Sequence, residues 1–458
     1  MASNTRISRR SFAGLALGLA AAVIGLGLLA GKGGVPPAGA QDEVRIDLEA
    51  DAGRKIGILL EALTPAGDRA ASRPAAVGAD PVLAADLANS TVFDVAKAWE
   101  SGSSAATGVQ AVISGTLTVK GSSVTLSGRI SDFPARRLIG KGEYRGATAD
   151  IRRLVHQFAD DVVLQLTGEA GIAQTQIAYV AKAARSGELW VVDVDGFGAR
   201  PLTAFKSPIT SPTWAPNRGE VVFSALRGAG WNLYGAPLRG GSSRQLTRSG
   251  TLNIAPSYAP DGGSIAFVSN KDGNSEIYVA GADGSGARRL TSNRVIDTSP
   301  AWAPHGQQIA FASDRGGNVQ VYVMDRDGAN QHRLVNGLGY TDSPAWSPRG
   351  DRLAFVVRAG SGFDIYVAAA DGSGARPLVT GGTNENPRWS PDGRQIVFSS
   401  NRGGGRGLWI TDLRGRAIRK LAVPGAAATN PAWSPRPASV SSASTLGSST
   451  APNPGRTH

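Results

Sequence analysis

The sequence repeats the motif Ser299-Pro300-Ala301-Trp302-Ala303-Pro304 six times, with small variations. The aromatic residues at the centre of the repeats are Trp214, Tyr258, Trp302, Trp346, Trp389 and Trp433. Their separations are 44, 44, 44, 43 and 44 residues. A period of about 40–45 residues, with an aromatic and turn signals in each unit, is typical of a β-propeller.

Each repeat reads as four short strands joined by turns. In the unit at 299–334, the pattern predicts strands at 300–302, 308–312 and 319–324, and a fourth strand ending at residue 334. Asp327-Gly328 marks a hairpin turn, because glycine tolerates the positive φ that such turns need. Four strands separated by turns make one propeller blade.

The two ends of the repeat series are out of step. An apolar second-strand motif occurs six times, from 177–180 to 396–399, but the first copy has no aromatic motif before it. The last aromatic motif, at Trp433, has no second strand after it. A ring resolves the mismatch if the strand near Trp433 joins the strands near Tyr179 and Trp190. This predicts an all-β six-bladed β-propeller at 169–436, closed without a covalent link, which removes exposed sheet edges.

Residues 1–40 have the character of a cleaved export signal. The pair Arg9-Arg10 lies in a twin-arginine pattern, an apolar run follows at 12–30, and Ala38-Gly39-Ala40 is a suitable cleavage site. An uncleaved membrane anchor is the alternative. Cleavage predicts an exported protein that is not embedded in the membrane.

Composition excludes some classes of function. The chain has no cysteine, so it has no disulfide and no thiolate metal site. Its formal net charge is +12, but the arginines are scattered among turns, so we expect no nucleic-acid partner. A solvated basic surface, or affinity for anionic envelope material or for an acidic partner, fits an exported protein better.

Residues 41–168 form a separate unit without repeats. Alternating patterns predict strands at 44–48, 56–60, 109–114 and 124–130, and a short helix at 81–89. Ile151, Leu154, Phe158, Val162 and Leu166 lie on one face of a helix that ends at Gly168. We interpret 64–80 as a loop and 437–458 as a disordered tail. The fold class is therefore a small α/β domain followed by the propeller.

The sequence carries no recognisable catalytic set. The histidines, at 156, 305, 332 and 458, are too far apart in the predicted fold for a metal site, and no nucleophile elbow is present. Asp193-Val194-Asp195-Gly196 and a similar run at 325–328 resemble the start of a calcium loop, but hairpin turns explain them better. We expect no cofactor, no metal and no enzymatic activity.

The candidate functional residues precede the aromatic motifs. Because the first strand of each blade lines the central channel, the residues that begin it surround one end of that channel. The predicted contacts are Thr210, Asn253, Ile254, Asp297, Thr298, Asp342, Ser343, Asn384, Glu385, Thr429 and Asn430. Such a ring favours a protruding protein partner, although strand ends are also polar simply because they are solvated.

Several stretches outside the repeats resemble the TolB family of the Tol–Pal cell-envelope system. They are Glu43-Val44-Arg45-Ile46 with the run at 53–58, the run at 86–90 with Phe93, the junction at 166–180 with His156 and Asp160, and the final PAWSP. The resemblance covers about 43–435. Glu61-Ala62 replaces the usual Pro-Phe, and both the long tail and the basic charge depart from the family pattern.

The resemblance implies a monomeric, periplasmic interaction protein that supports envelope integrity and outer-membrane invagination during division. It implies that a Pal-type lipoprotein binds at the channel end and that a TolA-type inner-membrane protein contacts the segment Glu43-Val44-Arg45-Ile46. Two other functions stay open. One is a propeller that binds cell-wall glycan or another envelope ligand, and the other is a six-bladed hydrolase or lyase using Asp297 and Asp342.

Export should require both Arg9 and Arg10. Replacing both by lysine should stop translocation of a tagged protein, because lysine lacks the guanidinium fork that distinguishes arginine. Fractionation of cells that express the wild type and the double variant measures this. Unchanged export of the double variant would exclude the twin-arginine route.

Overall fold

The computed structural model describes residues 55–100, 108–183, 186–425 and 427–437. The export segment, the strand predicted at 44–48, the segment Glu43-Val44-Arg45-Ile46 and the predicted tail from residue 438 onward lie outside these residues. Neither helix in the described part of the chain has the length and apolarity needed to cross a bilayer.

A mixed sheet with two helices forms the first domain. Its strands are β1 Ile56–Leu60, β2 Thr64–Gly67, β3 Phe93–Lys97, β4 Val109–Lys120, β5 Ser123–Asp132 and β6 Leu138–Ala147, and its helices are α1 Arg69–Asn89 and α2 Ile151–Thr167. The strand order is β3-β1-β4-β5-β6, with β2 paired to β4. β1 is parallel to β3 and β4, whereas β4, β5 and β6 form an antiparallel meander.

The structure confirms the predicted position of helix α2 and its predicted end at Gly168. Leu154, Phe158, Val162 and Leu166 are buried in the core of the first domain. Gly168 takes a left-handed conformation with φ 73° and its N–H donates to the carbonyl oxygen of Leu164. Glycine suits this position because it has no Cβ to clash there.

The prediction of a loop at 64–80 was wrong, and so was the prediction that the first helix starts at residue 81. This stretch forms β2 and most of the 21-residue helix α1, which contains Pro74 and Pro81. Each proline removes one backbone donor, but Asp68 caps the helix by accepting from the N–H groups of Ala70 and Ala71. Burial of one face of the helix against the sheet outweighs the proline penalty.

Six four-stranded sheets follow and form the propeller, as predicted. The strands are β7 Gln176–Ala183, β8 Ser186–Asp193, β9 Arg200–Pro201, β10 Ile209–Trp214, β11 Glu220–Arg227, β12 Gly230–Pro237, β13 Arg244–Gln245, β14 Asn253–Tyr258, β15 Ser264–Ser269, β16 Glu276–Gly281, β17 Arg288–Arg289, β18 Asp297–Trp302, β19 Gln308–Ser313, β20 Gln320–Asp325, β21 His332–Arg333, β22 Thr341–Trp346, β23 Arg352–Ala359, β24 Gly362–Ala369, β25 Arg376–Val379, β26 Asn384–Trp389, β27 Gln395–Ser400, β28 Gly407–Asp412, β29 Ile418–Leu421 and β30 Ala427–Trp433. Within five sheets the strands are sequential neighbours, and the sixth has the order β30-β7-β8-β9.

The sixth sheet confirms the predicted closure of the ring. β30 pairs antiparallel with β7 and places Trp433 opposite Ile177. The indole Nε1 of Trp433 donates to Thr175 Oγ1 at 2.9 Å, and the indole of Trp214 in the next blade donates to the carbonyl oxygen of Ala432 at 2.9 Å. β30, the last strand that the structure describes, is therefore bonded on both sides.

A small set of polar contacts joins the first domain to the propeller. The carboxylate of Glu169 pairs with Arg349 at 2.7 Å and with Arg394 at 2.9 Å. Both arginines lie in turns that follow an inner strand, so the first domain contacts the end of the propeller where the inner strands finish. Gln395 adds a hydrogen bond to the carbonyl oxygen of Asn89.

Truncation of Trp433 should destabilise the whole propeller. Trp433→Ala removes a buried indole from the core shared by the sheets of β7 and β28, which should lower the free energy of unfolding by about 3–5 kcal/mol. Urea unfolding measures the loss. The control is Trp99→Ala, because Trp99 is 42% exposed, and equal losses in the two variants would contradict the proposed role of the closing strand.

Candidate functional site

The inner strands β10, β14, β18, β22, β26 and β30 all begin at one end of the channel, called the mouth below. These six strands run in the same direction around the ring, so their first residues come together. The structure therefore gathers the predicted contact residues around the mouth. Their chemical environments differ, however, and the difference follows from a kink shared by all six strands.

Each inner strand carries a bulge just after its start. The third residue, or the fourth in β30, has a positive φ of 51–56° and is followed by proline in every blade, at Ser211, Ala255, Ser299, Ser343, Asn386 and Asn430. The register with the neighbouring strand shifts at the same point. A left-handed conformation is costly for residues with a Cβ, and β-bulges redirect the side chains on either side.

Four of the predicted contacts are buried, and the side chains of three of them hydrogen-bond to segments beside the mouth. Asp297 is fully buried, and its Oδ2 accepts from Arg315 Nη2 at 2.8 Å and from Asn293 Nδ2 at 2.7 Å. The side-chain amides of Asn253 and Asn384 donate to backbone carbonyls of adjacent loops. These three side chains hold the loops that shape the mouth and do not face its opening.

The half-buried residues at the mouth are the ones a partner can reach. They are Thr210, Ile254, Thr298, Asp342, Ser343, Glu385 and Asn430. Thr429 is buried, although it borders the mouth cavity described next. Burial therefore separates the predicted set into a supporting group and an accessible group, which the sequence alone did not distinguish.

A cavity of about 470 Å³ opens at the mouth between β22, β26 and β30. It is lined by Lys182, Tyr340, Asp342, Ser343, Val356, Phe363, Glu385, Asn386, Arg406, Thr429 and Asn430. Tyr340, Lys182, Phe363 and Arg406 are members that the sequence analysis missed, because they lie outside the inner strands. Only their position in the repeat could have identified them in the sequence. Each lies near the mouth end of a second or third strand, or in the loop before an inner strand.

Asp342 and Glu385 are held differently inside this cavity. Asp342 Oδ1 accepts from Ser299 Oγ of the neighbouring blade at 2.9 Å, and Glu385 forms an ion pair with Arg406. Burial, together with the charge of Asp342, raises the pKa of Tyr340 to about 12, so the phenol stays protonated and donates to Asp342 Oδ2. The arrangement offers charges and hydrogen-bonding groups for binding.

The described histidines do not meet at the mouth. His156 lies in α2, His305 in the turn after β18 and His332 in β21. Only His156 belongs to a group that resembles a metal site: ligand atoms of Asp86, His156 and Asp195 lie within 4.8 Å of one another. This group joins the two helices of the first domain to the turn after β8.

Ion pairing accounts for the His156 cluster. His156 Nδ1 is 2.6 Å from Asp86 Oδ2, its Nε2 is 3.5 Å from Asp195 Oδ2, and Arg152 also pairs with Asp195. Burial opposes the charged imidazole, but the hydrogen bond and the negative charge of Asp86 outweigh it and raise the pKa of His156. The imidazole lies between two carboxylates and bridges the first domain and the propeller. The sequence analysis missed this cluster because it interpreted Asp195 as a turn residue.

The structure defines a protein with a small α/β domain followed by a six-bladed β-propeller. The family described as TolB beta propeller domain matches residues 163–437, more than half of the chain. The chain therefore belongs to the TolB propeller family.

Individual relatives agree with this assignment. The chain is 41% identical over 95 residues to the Tol-Pal system protein TolB of Polaromonas sp. strain JS666, covering 21% of this chain and 22% of that protein. It is 36% identical over 115 residues to the same-named protein of Syntrophotalea carbinolica, covering 25% and 27%. These matches span about a quarter of the relatives' length. The fold matches that of TolB from Acinetobacter baumannii with a TM-score of 0.74, at 24% identity over 84% of this chain and 98% of that one.

The His156 cluster predicts that the protein loses stability as the pH rises. Because folding raises the pKa of His156 above its ordinary 6.5, its stabilisation is fully present below pH 6.5 and is lost as the pH rises through the folded-state pKa. His156→Gln should therefore lower the free energy of unfolding by about 1–3 kcal/mol near pH 6 and flatten the profile above it.

Urea unfolding at a series of pH values between about 6 and 9 measures the effect. Burial raises the pKa of Asp160 to about 6, so this carboxyl titrates mainly below that range. The control is His332→Gln, an exposed histidine in β21. Parallel profiles for the wild type and His156→Gln would show that His156 does not titrate in the folded protein as stated.

Proposed function

We propose that this protein is a non-enzymatic component of a Tol–Pal envelope system that binds a Pal-type lipoprotein at the mouth. The observation that carries the proposal is the ring of inner-strand starts in a chain of the TolB family. One segment from each of six blades converges on the mouth, so a single protruding partner can contact several blades at once.

The charges of the mouth support a protein partner. Asp342 and Glu385 lie in one cavity with Lys182 and Arg406, so both signs of charge are offered over a short distance. Tyrosine and arginine, here Tyr340 and Arg406, are enriched where proteins bind one another. A partner that presents donors to Asp342 and an acceptor near Lys182 would match the cavity.

The hydrolase or lyase alternative gains little support from the geometry. It needs Asp297 and Asp342 to act together, but Asp297 is enclosed by Arg315 and Asn293. The envelope-ligand alternative has a better basis, because the mouth cavity has the volume of a small-molecule site and contains Tyr340 and Phe363. It is therefore kept as an outcome of the binding experiment below.

Twin-arginine export comes from the pair Arg9-Arg10, and the remaining features of the proposal come from family membership. They are a periplasmic location, action as a monomer, contact of Glu43-Val44-Arg45-Ile46 with a TolA-type protein, and support of envelope integrity and division. Co-purification of a TolA-type protein with the full chain, but not with a chain that lacks 41–51, tests the second partner.

Binding of the purified protein to the Pal-type lipoprotein of its own organism tests the main proposal. Asp342→Ala and Glu385→Ala should each weaken binding by about 1–3 kcal/mol, because they remove charges from the accessible part of the mouth. His332→Ala and Arg376→Ala, on outer strands, should bind like the wild type.

Asp297→Ala distinguishes a residue that stabilises the mouth from one that contacts the partner. It should lower the thermal midpoint, since it leaves the buried side of Arg315 without its carboxylate, and any loss of binding should follow that loss of stability. Equal binding by Asp342→Ala, Glu385→Ala and the outer-strand controls would move the partner away from the mouth. Absence of binding by the wild type would favour an envelope ligand such as glycan.

A further inference from the structure

A second cavity occupies the opposite end of the channel, called the far end below. Its volume is about 410 Å³, and it lies where the inner strands finish. The repeated motifs form its wall, with Trp214, Tyr258, Trp302, Trp346, Trp389 and Trp433 each followed two residues later by a proline that also lines the cavity, at Pro216 and its equivalents. The wall is therefore largely apolar and aromatic.

One charged side chain enters this wall. The residue before each aromatic occupies an equivalent register position in all six blades and lines the cavity. Five of these residues are small: Thr213, Ser257, Ala301, Ala345 and Ala432. The sixth is Arg388 of β26. The small residues leave space around the arginine, so its guanidinium extends into the channel.

The charge of Arg388 has no counter-ion in the part of the chain that the structure describes. Its Nη1 donates to the carbonyl oxygen of Pro387 at 2.9 Å, which uses one of the five N–H donors of a guanidinium. Burial lowers the pKa of Arg388 to about 10, and no neighbouring charge opposes that effect. In contrast, the arginines Arg315 and Arg289 each pair with a fully buried carboxylate.

Two further donors lie in the same wall. The indoles of Trp214, Trp389 and Trp433 donate to protein acceptors. The indole nitrogens of Trp302 and Trp346 are buried and have no partner among the described residues. Buried donors without partners are uncommon in proteins. The far end thus combines one unpaired cation, two unpaired N–H groups and an apolar surface.

We propose that the far end of the channel binds an organic anion, whose carboxylate pairs with Arg388 and whose apolar body lies against the indoles and prolines. A guanidinium fits a carboxylate through two parallel hydrogen bonds. Such a ligand would also compensate a charge that is costly to leave unpaired. This site lies away from the mouth, so it does not depend on the lipoprotein partner.

Titration of the full chain with benzoate at neutral pH tests the site. The surrounding indoles supply the signal, and we expect a saturable change in tryptophan fluorescence for the wild type. Arg388→Met keeps an unbranched apolar side chain but removes the guanidinium and its charge, so it should weaken benzoate at least tenfold. Its thermal midpoint without ligand should be equal to or above that of the wild type, because an unpaired charge is lost. Arg376→Met, on outer strand β25, is the matched control and should bind like the wild type.

A second variant and two other probes sharpen the result. Ala301→Asp places a carboxylate at an equivalent wall position and should displace benzoate by pairing with Arg388. Benzyl alcohol tests the apolar wall alone, and inorganic phosphate tests the charge alone. Both should bind more weakly than benzoate. Saturation with the same affinity in Arg388→Met, no saturation in the wild type, or benzoate binding unchanged in Ala301→Asp would each overturn the proposal. Phosphate binding as tight as benzoate would overturn the organic part of it.

Discussion

The pairing of β30 with β7 is the contact on which the rest of the propeller depends. It joins residues more than 240 positions apart, such as Thr429 and Val180. Without it the seam sheet loses its inner strand and the ring has two free edges, which tend to pair with other chains. With it, all six inner strands surround one channel, and both ends of that channel become defined surfaces.

The bulge in each inner strand determines how those two surfaces are built. A left-handed residue followed by proline shifts the register between the mouth and the far end. Before the bulge, Asp297 and Asn384 are fully buried. After it, the equivalents of Arg388 line the channel. The backbone conformation is therefore the same in all six inner strands, whereas the side chains at a few positions differ between blades.

The sequence predicts the repeated part of the fold well, because an aromatic at a constant period and paired turns leave only one arrangement for each blade. It predicts less where local signals conflict with packing. Pro74 and Pro81 argue against helix α1, yet Asp68 and the buried apolar face stabilise it. At the mouth, polarity identifies the residues but not their burial, since Asp297 and Asp342 look alike in sequence. Asp86, His156 and Asp195 are far apart in sequence; the first two meet because α1 packs on α2, and Asp195 joins them through packing between the domains.

One inner strand carries a charged side chain at both ends of the channel. β26 contributes Glu385 to the mouth and, beyond the bulge at Asn386, Arg388 to the far end. Five other inner strands have a small residue where β26 has arginine. Closure of the ring rests on backbone pairing and on apolar cores between blades, such as the one that contains Phe398 and Trp389, and Arg388 is not a member of that core. A single blade can therefore acquire a charge in the channel without weakening the ring, which explains how a repeated scaffold carries sites that are not repeated.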